Sequence, residues 1–471
     1  MHHTAHSRPS GIALTRRHFF KTTAALASAA FAAPHLVPSS VFGADAPSNR
    51  IHVGFIGLGN QSTIDLPAFL RNDDVQVVAV CDVNTASHGY KTPEQFLGRK
   101  PGEEKVNKYY AEKSGAGAYK GCDAYNDFRE ILGRKDIDVV ALVVPDHWHG
   151  LMTVMAAQAG KDIYCEKPLS LTINQGKKMV AAVRKHQRIL QTGSHYRSSP
   201  ANRLGCELVR NGRLGQLKRI LTYLPPNNAT DPGPGWQPMP VPEGFDYDMW
   251  LGPAPKAPYH QDRCFYRFRF ILDYSGGQVT NFGAHEIDIA QWGNGTDHTG
   301  PVEIEDLGSE FPPKGGLFTT ATKVHFRARY ANGVELICQT EKPGFGTRFE
   351  GTEGWLLYDY KGVKTSPESL KTSVIGPNEI HLPESIKGRK ESGSKQYIPD
   401  HVRNFLDCVR SRQDPIGLVE IGHRTASICH LGNIAMMLKR KVQWDPEKEQ
   451  FVNDDEANGM LDRPMRAPWK M

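Results

Sequence analysis

IHVGFIGLGNQS, residues 51–62, is an apolar, β-branched run of strand length that passes directly into a glycine turn and a helix-like segment. The turn contains Gly57 and Gly59, whose missing Cβ atoms let the backbone come close to a pyrophosphate. The free N–H groups and the positive dipole end of the following helix then receive the charge of that pyrophosphate. Strand, glycine turn and helix in this order predict a dinucleotide-binding site.

A second predicted strand, residues 75–81, ends at Asp82 and strengthens this interpretation. An acidic residue at about this separation hydrogen-bonds the adenosine ribose of NAD, and its carboxylate would repel the 2′-phosphate of NADP. Ser62 replaces the third glycine of the usual pattern, but it is small enough for the helix to pack closely on the strand. We therefore expect Asn60, Gln61 and Ser62 beside the dinucleotide. The alternative is a turn that binds nothing.

Length and composition favour a soluble protein of two domains. The chain has 471 residues, of which 39% are hydrophobic and 23% charged, and this length exceeds what one typical core supports. The net charge is +6, and residues 1–46 supply half of it. The remaining chain is nearly neutral, which gives no reason to expect a nucleic acid or an anionic membrane as partner. The eight cysteines show no metal-ligand spacing, so we expect buried thiols and no metal site.

Residues 1–46 read as a targeting segment. TRRHFFK, residues 15–21, is a twin-arginine motif, and an alanine-rich apolar run too short to span a bilayer follows it. The twin-arginine route exports folded proteins, which predicts a periplasmic location and argues against a disulfide framework. Free nicotinamide cofactor is not expected outside the cytoplasm, so we expect the cofactor to travel inside the protein.

The pattern changes near residue 193. Residues 137–144 form a continuous apolar run typical of a central parallel strand, and shorter strands are expected around residues 162–165 and 189–192. We predict an α/β fold with a Rossmann domain at residues 47–193. An α+β domain with a large, mainly antiparallel open sheet is expected at residues 194–447, followed by a polar tail at 448–471. Asn332-Gly333 between two of the later strands predicts a type I′ hairpin turn.

The ends of the parallel strands supply the first candidate site residues. Ligands of open parallel sheets bind beyond the carboxyl ends of the strands. Glu166 and Lys167 follow one strand, beside the expected nicotinamide, whose positive charge would lower the pKa of the lysine toward a range useful for proton transfer. The alternative is an ordinary surface lysine. Further cofactor contacts are expected from a second strand end: Pro145, His147 and Trp148.

The second domain supplies the other candidates. In NFGAHEID, residues 281–288, a glycine turn opens a helix that places His285 and Asp288 on one face. His285 is a candidate general base for an alcohol, and the alternative is a histidine that only packs or caps this helix. Substrate contacts are expected from His195, Tyr196, Arg197, Asn281 and Asp288, which suit ligands rich in hydroxyl groups. His147 and His149 lack partners at metal-ligand spacing, so we place them behind the site or at the nicotinamide edge.

The glycine turn, Glu166-Lys167-Pro168 and Gly283-x-His285-x-x-Asp288, in this order, resemble the glucose-fructose oxidoreductase, inositol dehydrogenase and rhizopine-catabolism (Gfo/Idh/MocA) family. The resemblance implies that Lys167 is the catalytic lysine and His285 the acid/base histidine. It also implies a cis bond before Pro168, a tightly held NAD in exported members and, by analogy, a homo-oligomer formed through the open sheet. The family has an aspartate four residues before the histidine, and this chain has Asn281, which cannot take a proton.

Three functions remain open at this point. In the leading hypothesis, the protein oxidises a hydroxyl of a sugar, glycoside or cyclitol, whose proton goes to His285 or Lys167 and whose hydride goes to C4 of the nicotinamide. A trapped cofactor then needs a second substrate to take the hydride back. The first alternative is a redox-neutral, NAD-dependent glycoside hydrolase that works by oxidation and elimination. The second is a non-catalytic carbohydrate-binding protein, which only Asn281 supports.

Overall fold

The first strand of the chain, β1 (Ile51–Ile56), lies at the centre of a parallel sheet and is buried along nearly its whole length. This position explains its continuous apolar run. In a computed structural model, the described residues are 49–115, 117–227, 231–359, 362–388 and 397–471. Residues 51–471 form one unit. The predicted twin-arginine segment lies outside the described residues.

The parallel sheet has the strand order β3-β2-β1-β4-β5-β6, which is the order of a Rossmann fold. Its strands after β1 are β2 (Val75–Cys81), β3 (Asp123–Tyr125), β4 (Val139–Leu142), β5 (Asp162–Cys165) and β6 (Leu190–Thr192). Its helices are α1 (Ser62–Leu70), α2 (Arg99–Ser114), α3 (Phe128–Gly133), α4 (Asp146–Gln158) and α5 (Ile173–Lys185). Side-chain caps explain where two helices begin. Asp127 accepts a hydrogen bond from the Arg129 amide at the start of α3, and Thr172 accepts one from the Gln175 amide at the start of α5.

The second sheet has nine strands among the described residues, in the order β13-β12-β11-β7-β10-β9-β8-β14-β15. Within this part of the chain, only β7 and β10 pair in parallel. The strands are β7 (Leu217–Tyr223), β8 (Glu303–Asp306), β9 (His325–Arg329), β10 (Glu335–Gln339), β11 (Gly346–Gly351), β12 (Trp355–Asp359), β13 (Gly362–Ser366), β14 (Val442–Asp445) and β15 (Gln450–Phe451). The predicted large, mainly antiparallel sheet is therefore confirmed, and the β7–β10 pair makes it mixed.

One face of this sheet is apolar and the other is charged. Phe326 and Leu336 point into the buried core, whereas Arg327 pairs with Glu305 and Glu335 on the open face. This alternation is typical of an antiparallel sheet covered on one side. The covering and connecting helices are α6 (Pro200–Arg210), α7 (Tyr247–Leu251), α8 (Gln278–Asn281), α9 (Gly283–Asn294), α10 (Tyr397–Ser411), α11 (Val419–Leu438) and α12 (Asp455–Asn458).

The β9–β10 connection is a hairpin, as Asn332-Gly333 predicts, but its turn is not type I′. Gly333 has φ +84°, while Asn332 is not among the residues with positive φ. A type I′ turn needs positive φ at both positions. The Gly333 amide donates to the Tyr330 carbonyl at 3.0 Å, so the hairpin has a three-residue loop in which only the glycine is left-handed.

Helix α10, near the C-terminal end of the chain, packs on the first sheet. Phe405 of α10 packs edge-on against Phe69 of α1 and Tyr164 of β5. The last residues, expected as a polar tail, lie on the protein instead, where the Trp469 ring contacts Trp148 with centroids 4.9 Å apart. Within the described part of the chain, no helix combines the length and apolar character needed to cross a bilayer.

Candidate active site

A cavity of about 360 Å³ opens at the carboxyl ends of the parallel strands, within the range of small-molecule sites. Strand ends of the parallel sheet line it on one side, and loops and helices from the C-terminal half of the chain line the other. Its main polar and aromatic lining residues are Asn60, Gln61, Asp82, Tyr90, Lys91, Asp146, Trp148, Glu166, Lys167, His195, Tyr196, Phe265, Tyr266, Arg269, Asn281 and His285. The predicted cofactor and catalytic residues therefore meet at one place, as the strand-end rule for parallel sheets predicts.

Gly57 adopts a conformation that only glycine tolerates here. Its φ is +96°, and an added Cβ would lie 2.2 Å from the carbonyl oxygen of Val143. The predicted Ser62 does not line the cavity. Its hydroxyl donates to the Gly59 carbonyl at 2.7 Å, so the small side chain stabilises the turn from behind. These contacts fix the glycine turn, and its residues Gly57, Gly59, Asn60 and Gln61 line the cavity.

Asp82 lies at the end of β2 and lines the cavity, as predicted for the residue that binds the ribose. Its Oδ2 accepts a hydrogen bond from the Leu58 amide at 2.6 Å, and its Oδ1 accepts one from the Asn84 amide at 2.8 Å. Burial raises the pKa of this carboxyl, and the two amide bonds partly oppose that change. Asp82 therefore connects the second strand to the glycine turn and leaves acceptor capacity for a ribose hydroxyl.

The loop between residues 84 and 98 covers the glycine turn. Gln95 donates to Asn60 Oδ1 at 2.9 Å, and the Tyr90 ring lies against Gly59 and against Phe265 of the second half, with ring centroids 4.6 Å apart. The Thr85 amide donates to the Gly244 carbonyl at 2.8 Å. The polar sequence of this stretch does not predict that it covers the turn. Its covering role depends on contacts with residues far along the chain, for which no spacing signal exists.

Lys167 and His285 come from separate halves of the protein and line the same cavity. Lys167 Nζ donates to Asn281 Oδ1 at 3.0 Å, and the Asn281 amide in turn donates to Gln278 Oε1 at 3.1 Å. Asn281 is thus held with its oxygen toward the lysine. The Lys167–Pro168 peptide bond is cis, as the family resemblance implies.

Burial changes the acid–base properties of both groups. It lowers the pKa of Lys167, although Glu166 opposes the change. Burial, and after it the charge of Lys167, hold the pKa of His285 well below its usual value, so the imidazole is neutral at physiological pH. Its Nδ1 is buried without a hydrogen-bond partner, and its ring stacks on Tyr196 with centroids 4.5 Å apart. A neutral imidazole with a free nitrogen can accept a hydroxyl hydrogen.

Arg197 and Asp288, predicted as substrate contacts, do not line the cavity. Arg197 Nε donates to Asp288 Oδ2 at 2.7 Å, and its other end pairs with Asp297 at the same distance. Thr425 donates to the second Asp288 oxygen at 3.0 Å. Both side chains are fully engaged in a buried ion pair, so we correct their assignment to a structural role behind the site.

Of the neighbouring residues His147 and Trp148, the first is buried in the interior and the second lines the cavity. Trp148 and Pro145 line the cavity, as predicted for cofactor contacts. His147 does not, since its Nε2 donates to the Trp250 carbonyl at 2.9 Å and its ring packs among aromatic side chains. Burial lowers the pKa of His147 to about 4. This histidine is therefore a neutral packing residue.

Two further features were not predicted. Arg269 lines the cavity, and its guanidinium carbon lies 3.9 Å from the centroid of the Tyr266 ring. Asp65, Glu166 and His195 bring three potential ligand atoms within 4.8 Å of one another. Neither group has a recognisable spacing in the sequence. The aromatic and basic run FYRFRF, residues 265–270, is the one local signal that could have indicated the first.

Two models of one protein family match this chain. Residues 51–194 match the model of the Gfo/Idh/MocA oxidoreductase family described as its NAD-binding Rossmann fold. Residues 234–471 match the model described as its C-terminal alpha/beta domain.

Named relatives are more distant. A levoglucosan dehydrogenase from Pseudarthrobacter phenanthrenivorans is 27% identical over 252 residues, which are 50% of this chain and 59% of that protein. An alpha-N-acetylgalactosaminidase from Shewanella oneidensis is 28% identical over 218 residues, which are 43% of this chain and 44% of that protein. The aligned region thus spans less than two thirds of these relatives.

Solved structures share the fold. A levoglucosan dehydrogenase in complex with NADH and levoglucosan covers 84% of this chain and 99% of its own, with a TM-score of 0.57 and 18% identity. An aldose-aldose oxidoreductase from Caulobacter crescentus covers the same shares, with a TM-score of 0.54 and 19% identity. The two family matches include most of the described residues, and the chain therefore belongs to the Gfo/Idh/MocA family of oxidoreductases, with an NAD-binding Rossmann fold at its N-terminal end.

Proposed function

We propose that this protein is an NAD-dependent oxidoreductase that acts on a hydroxyl group of a sugar, glycoside or cyclitol. The observation that carries this proposal is the meeting of Lys167 and His285, from separate halves, in one buried cavity that continues to the glycine turn. Relatives named as sugar dehydrogenases or reductases support the substrate class.

The residues of the cavity divide the work as follows. NAD, when bound, supplies the hydride acceptor. Gly57 and Gly59 leave room for its pyrophosphate, and Asp82 receives the ribose. Lys167 Nζ takes the hydroxyl proton, since burial increases the fraction of neutral amine. His285 orients the hydroxyl through its neutral imidazole, which lines the cavity, and Asn281 fixes the position of the lysine without accepting the proton.

The preference for NAD over NADP rests on the Asp82 carboxylate. Arg99 lies close, because its guanidinium donates to the Asp82 backbone carbonyl at 2.6 Å. It is also hydrogen-bonded to Asn126 and Thr85 and does not line the cavity, so it is engaged elsewhere. Native mass spectrometry of the purified protein tests this preference. We expect the mass of NAD, and a bound NADP would overturn the assignment.

Reduction of the bound cofactor by a sugar tests the reaction itself. Nicotinamide fluorescence is followed while a panel of sugars, glycosides and cyclitols is added to the purified protein. We expect reduction by at least one of them, and its loss in Lys167→Met. Lys161→Met is the matched control, because Lys161 is also buried but donates to the Arg134 and Ile137 carbonyls away from the cavity. Full activity of Lys167→Met would favour a non-catalytic binding protein or a different catalytic lysine.

The second candidate is a redox-neutral glycoside hydrolase. Relatives named as a glycosyl hydrolase family 109 protein and as an alpha-N-acetylgalactosaminidase favour it. In that reaction a transient oxidation acidifies the neighbouring C–H bond, and elimination expels the aglycone. Incubation with an aryl glycoside separates the two functions. Free sugar with an unchanged cofactor indicates the hydrolase, and accumulation of a keto-sugar indicates the dehydrogenase.

We further propose export by the twin-arginine route and a homo-oligomer formed through the open face of the nine-stranded sheet. The motif at residues 15–21 supports the first proposal, and the uncovered charged face supports the second. Periplasmic fractionation of the native chain and of a variant with lysines at positions 16 and 17 tests export. Light scattering during size-exclusion chromatography tests assembly, and a monomeric mass would contradict it.

A further inference from the structure

A buried polar cluster lies directly behind the catalytic lysine, and the proposed reaction does not yet use it. Its centre is His195 Nε2, which lies 2.6 Å from the Tyr164 hydroxyl, 3.3 Å from Glu166 Oε1 and 3.8 Å from Asp65 Oδ1. All four side chains are buried. They come from α1, β5, the turn after β5 and the turn after β6, so the fold brings four separate segments together.

The hydrogen bonds of this cluster are incomplete. Asp65 Oδ2 and Glu166 Oε1 are buried without a hydrogen-bond partner. The nearest ligand atoms of the two carboxylates lie within 4.8 Å of each other, and repulsion between two buried negative charges at this distance raises the pKa of one of them. Burial, and then the charge of Glu166, raise the pKa of Asp65 to about 8. Burial alone would lower the pKa of His195, but the two carboxylates outweigh it and the net change is upward.

Charged and titratable groups face the cluster from every side. Lys167 follows Glu166 in the chain, and its amide donates to Glu166 Oε2 at 3.3 Å. His285 of α9 and His401 of α10 lie with ring centroids 6.2 Å and 5.3 Å from that of His195, and the charge of His149 of α4 also acts on Glu166. Burial lowers the pKa of His401 to about 3. Gln61 of the glycine turn donates to Asp65 Oδ1 at 3.3 Å.

The cluster therefore adjoins both parts of the proposed site. It reaches the glycine turn through Gln61, and it lies beside the catalytic pair through the Lys167 backbone amide and the His285 ring, whose centroid is 6.2 Å from that of His195. Asn281 stands where the family has an aspartate, and its Oδ1 accepts a hydrogen bond from Lys167 Nζ. An amide there cannot hold a proton. The charges of Glu166 and Asp65 in this cluster, together with that of Asp146 outside it, act on Lys167 and raise its pKa against the effect of burial.

We propose that Asp65, Glu166 and His195 form a proton-holding site that keeps the proton of the substrate hydroxyl inside the protein after Lys167 has accepted it. The inference rests on the proposed function. The O–H bond of the substrate breaks, its proton binds Lys167 Nζ, and the hydride leaves carbon for the bound cofactor. The proton then passes from Nζ to the Glu166–His195 pair, and it returns by the same route when a second substrate takes the hydride back.

A metal ion is the competing occupant, because the three ligand atoms have suitable spacing. The Tyr164 hydroxyl argues against it, since at 2.6 Å from Nε2 it uses the nitrogen that a metal would need. Elemental analysis of the purified protein decides between them. We expect no stoichiometric transition metal or zinc, and one metal per chain that is lost in Asp65→Asn would overturn the proposal.

Infrared spectroscopy of the holoprotein tests the proton directly and needs no substrate. We expect a protonated-carboxyl band near neutral pH that titrates at about pH 8, shifts in protein labelled with ¹³C-aspartate, and disappears in Asp65→Asn. Glu286→Gln is the matched control, because burial also raises the pKa of Glu286 to about 8, while its carboxyl is hydrogen-bonded to Thr347 outside the cavity. A labelled band that survives in Asp65→Asn would overturn the proposal.

The pH dependence of sugar-driven cofactor reduction is the second test. We expect an inflection near pH 8 in the native protein and in Glu286→Gln, and its loss in Asp65→Asn. Tyr164→Phe removes only a hydroxyl and should move the inflection, which provides a test if the aspartate variant fails to fold. An unchanged inflection in both cluster variants would overturn the inference. Absence of reduction by every sugar would instead count against the proposed function, and the infrared band would still decide the inference.

Discussion

At the scale of single residues, the pair Lys167–Asn281 controls the proposed proton transfer. The lysine is buried, and its nearest polar partner is an uncharged amide oxygen at 3.0 Å. A neutral partner stabilises the ammonium form less than a carboxylate would, because no opposite charge offsets the loss of hydration. The amine therefore loses its proton more readily than it would beside the aspartate of other family members.

Asn281→Asp should move the activity to higher pH. The new carboxylate beside Nζ stabilises the ammonium form and raises the pKa of Lys167. Because the reaction needs the neutral amine, the rise of activity with pH then occurs at a higher pH. For each pH unit by which this pKa rises, the reaction at neutral pH slows by about tenfold. The pH profile of cofactor reduction measures this, with Gln278→Glu as a control for a nearby carboxylate that does not touch the lysine. An unchanged pH profile in Asn281→Asp would show that another group is the base.

Gly57→Ala should destabilise the fold and abolish cofactor binding. A positive φ costs a residue with a Cβ about 1–3 kcal/mol, and the new methyl group would also lie 2.2 Å from the Val143 carbonyl oxygen. Gly89→Ala is the matched control, since Gly89 has φ +85° but nothing within 4 Å of its Cβ position. Thermal unfolding and bound nucleotide are measured for both variants. Equal behaviour of the two would contradict the close approach at Gly57.

The sequence predicts these local features because each lies in a short motif with its own spacing. Lys167 and His285 could be found in this way, and the cavity contains both. Asp65, Tyr90 and Arg269 could not, because their partners lie on distant segments and no spacing joins them. Arg197 was misassigned for the same reason, since the Asp297 carboxylate that engages it lies 100 positions away.

At the scale of elements, the loop between residues 84 and 98 determines how the cavity closes. It contacts the glycine turn through Gln95 and the second half through Tyr90 and Thr85. The strands beneath it were predictable from continuous or alternating apolar runs, which report burial on two faces or on one. The loop itself is polar, and its position depends on partners that periodicity does not reveal.

Tyr90→Ala should release the cofactor faster. The ring covers Gly59 and packs against Phe265, so its removal opens the proposed path of the pyrophosphate. Competition of bound NADH with excess NAD, followed by fluorescence, gives the release rate, and we expect an increase of about tenfold or more for a lost contact of about 1.4 kcal/mol. Phe96→Ala is the control on the same loop, because Phe96 is half exposed and contacts His88. An unchanged release rate would mean that the loop does not retain the cofactor.

At the scale of the whole molecule, the C-terminal half of the chain contributes a helix that covers the sheet of the N-terminal half. Helix α10 belongs to the C-terminal half of the chain, yet it packs on the first sheet, and Arg403 from this helix pairs with Asp74 before β2 at 2.7 Å. Composition and strand patterns predict two domains, but they do not predict that α10 packs on the first sheet. The sequence of a helix does not indicate which of two sheets it will cover. The predicted boundary at residues 193 and 194 stays a prediction.

Asp74→Asn should weaken this connection in a pH-dependent way. Burial tends to raise the pKa of Asp74, but Arg403 and Arg410 outweigh it and the net change is downward. Its contribution to stability is therefore present above the unfolded pKa and is lost as the pH falls through the lower folded pKa. We expect a loss of about 1 kcal/mol at neutral pH that disappears in acid, measured by thermal unfolding. Asp73→Asn, whose carboxylate is largely exposed, should change little at any pH.

The enclosure of the cavity by the 84–98 loop and by the aromatic residues near 265 has a consequence for the flow of electrons. A nicotinamide that stays bound records the last reaction of its own protein molecule, because the last sugar to enter determines whether that cofactor is reduced or oxidised. A population isolated from cells would then report, through its fraction of reduced copies, the balance between donor and acceptor sugars in the surroundings from which it came.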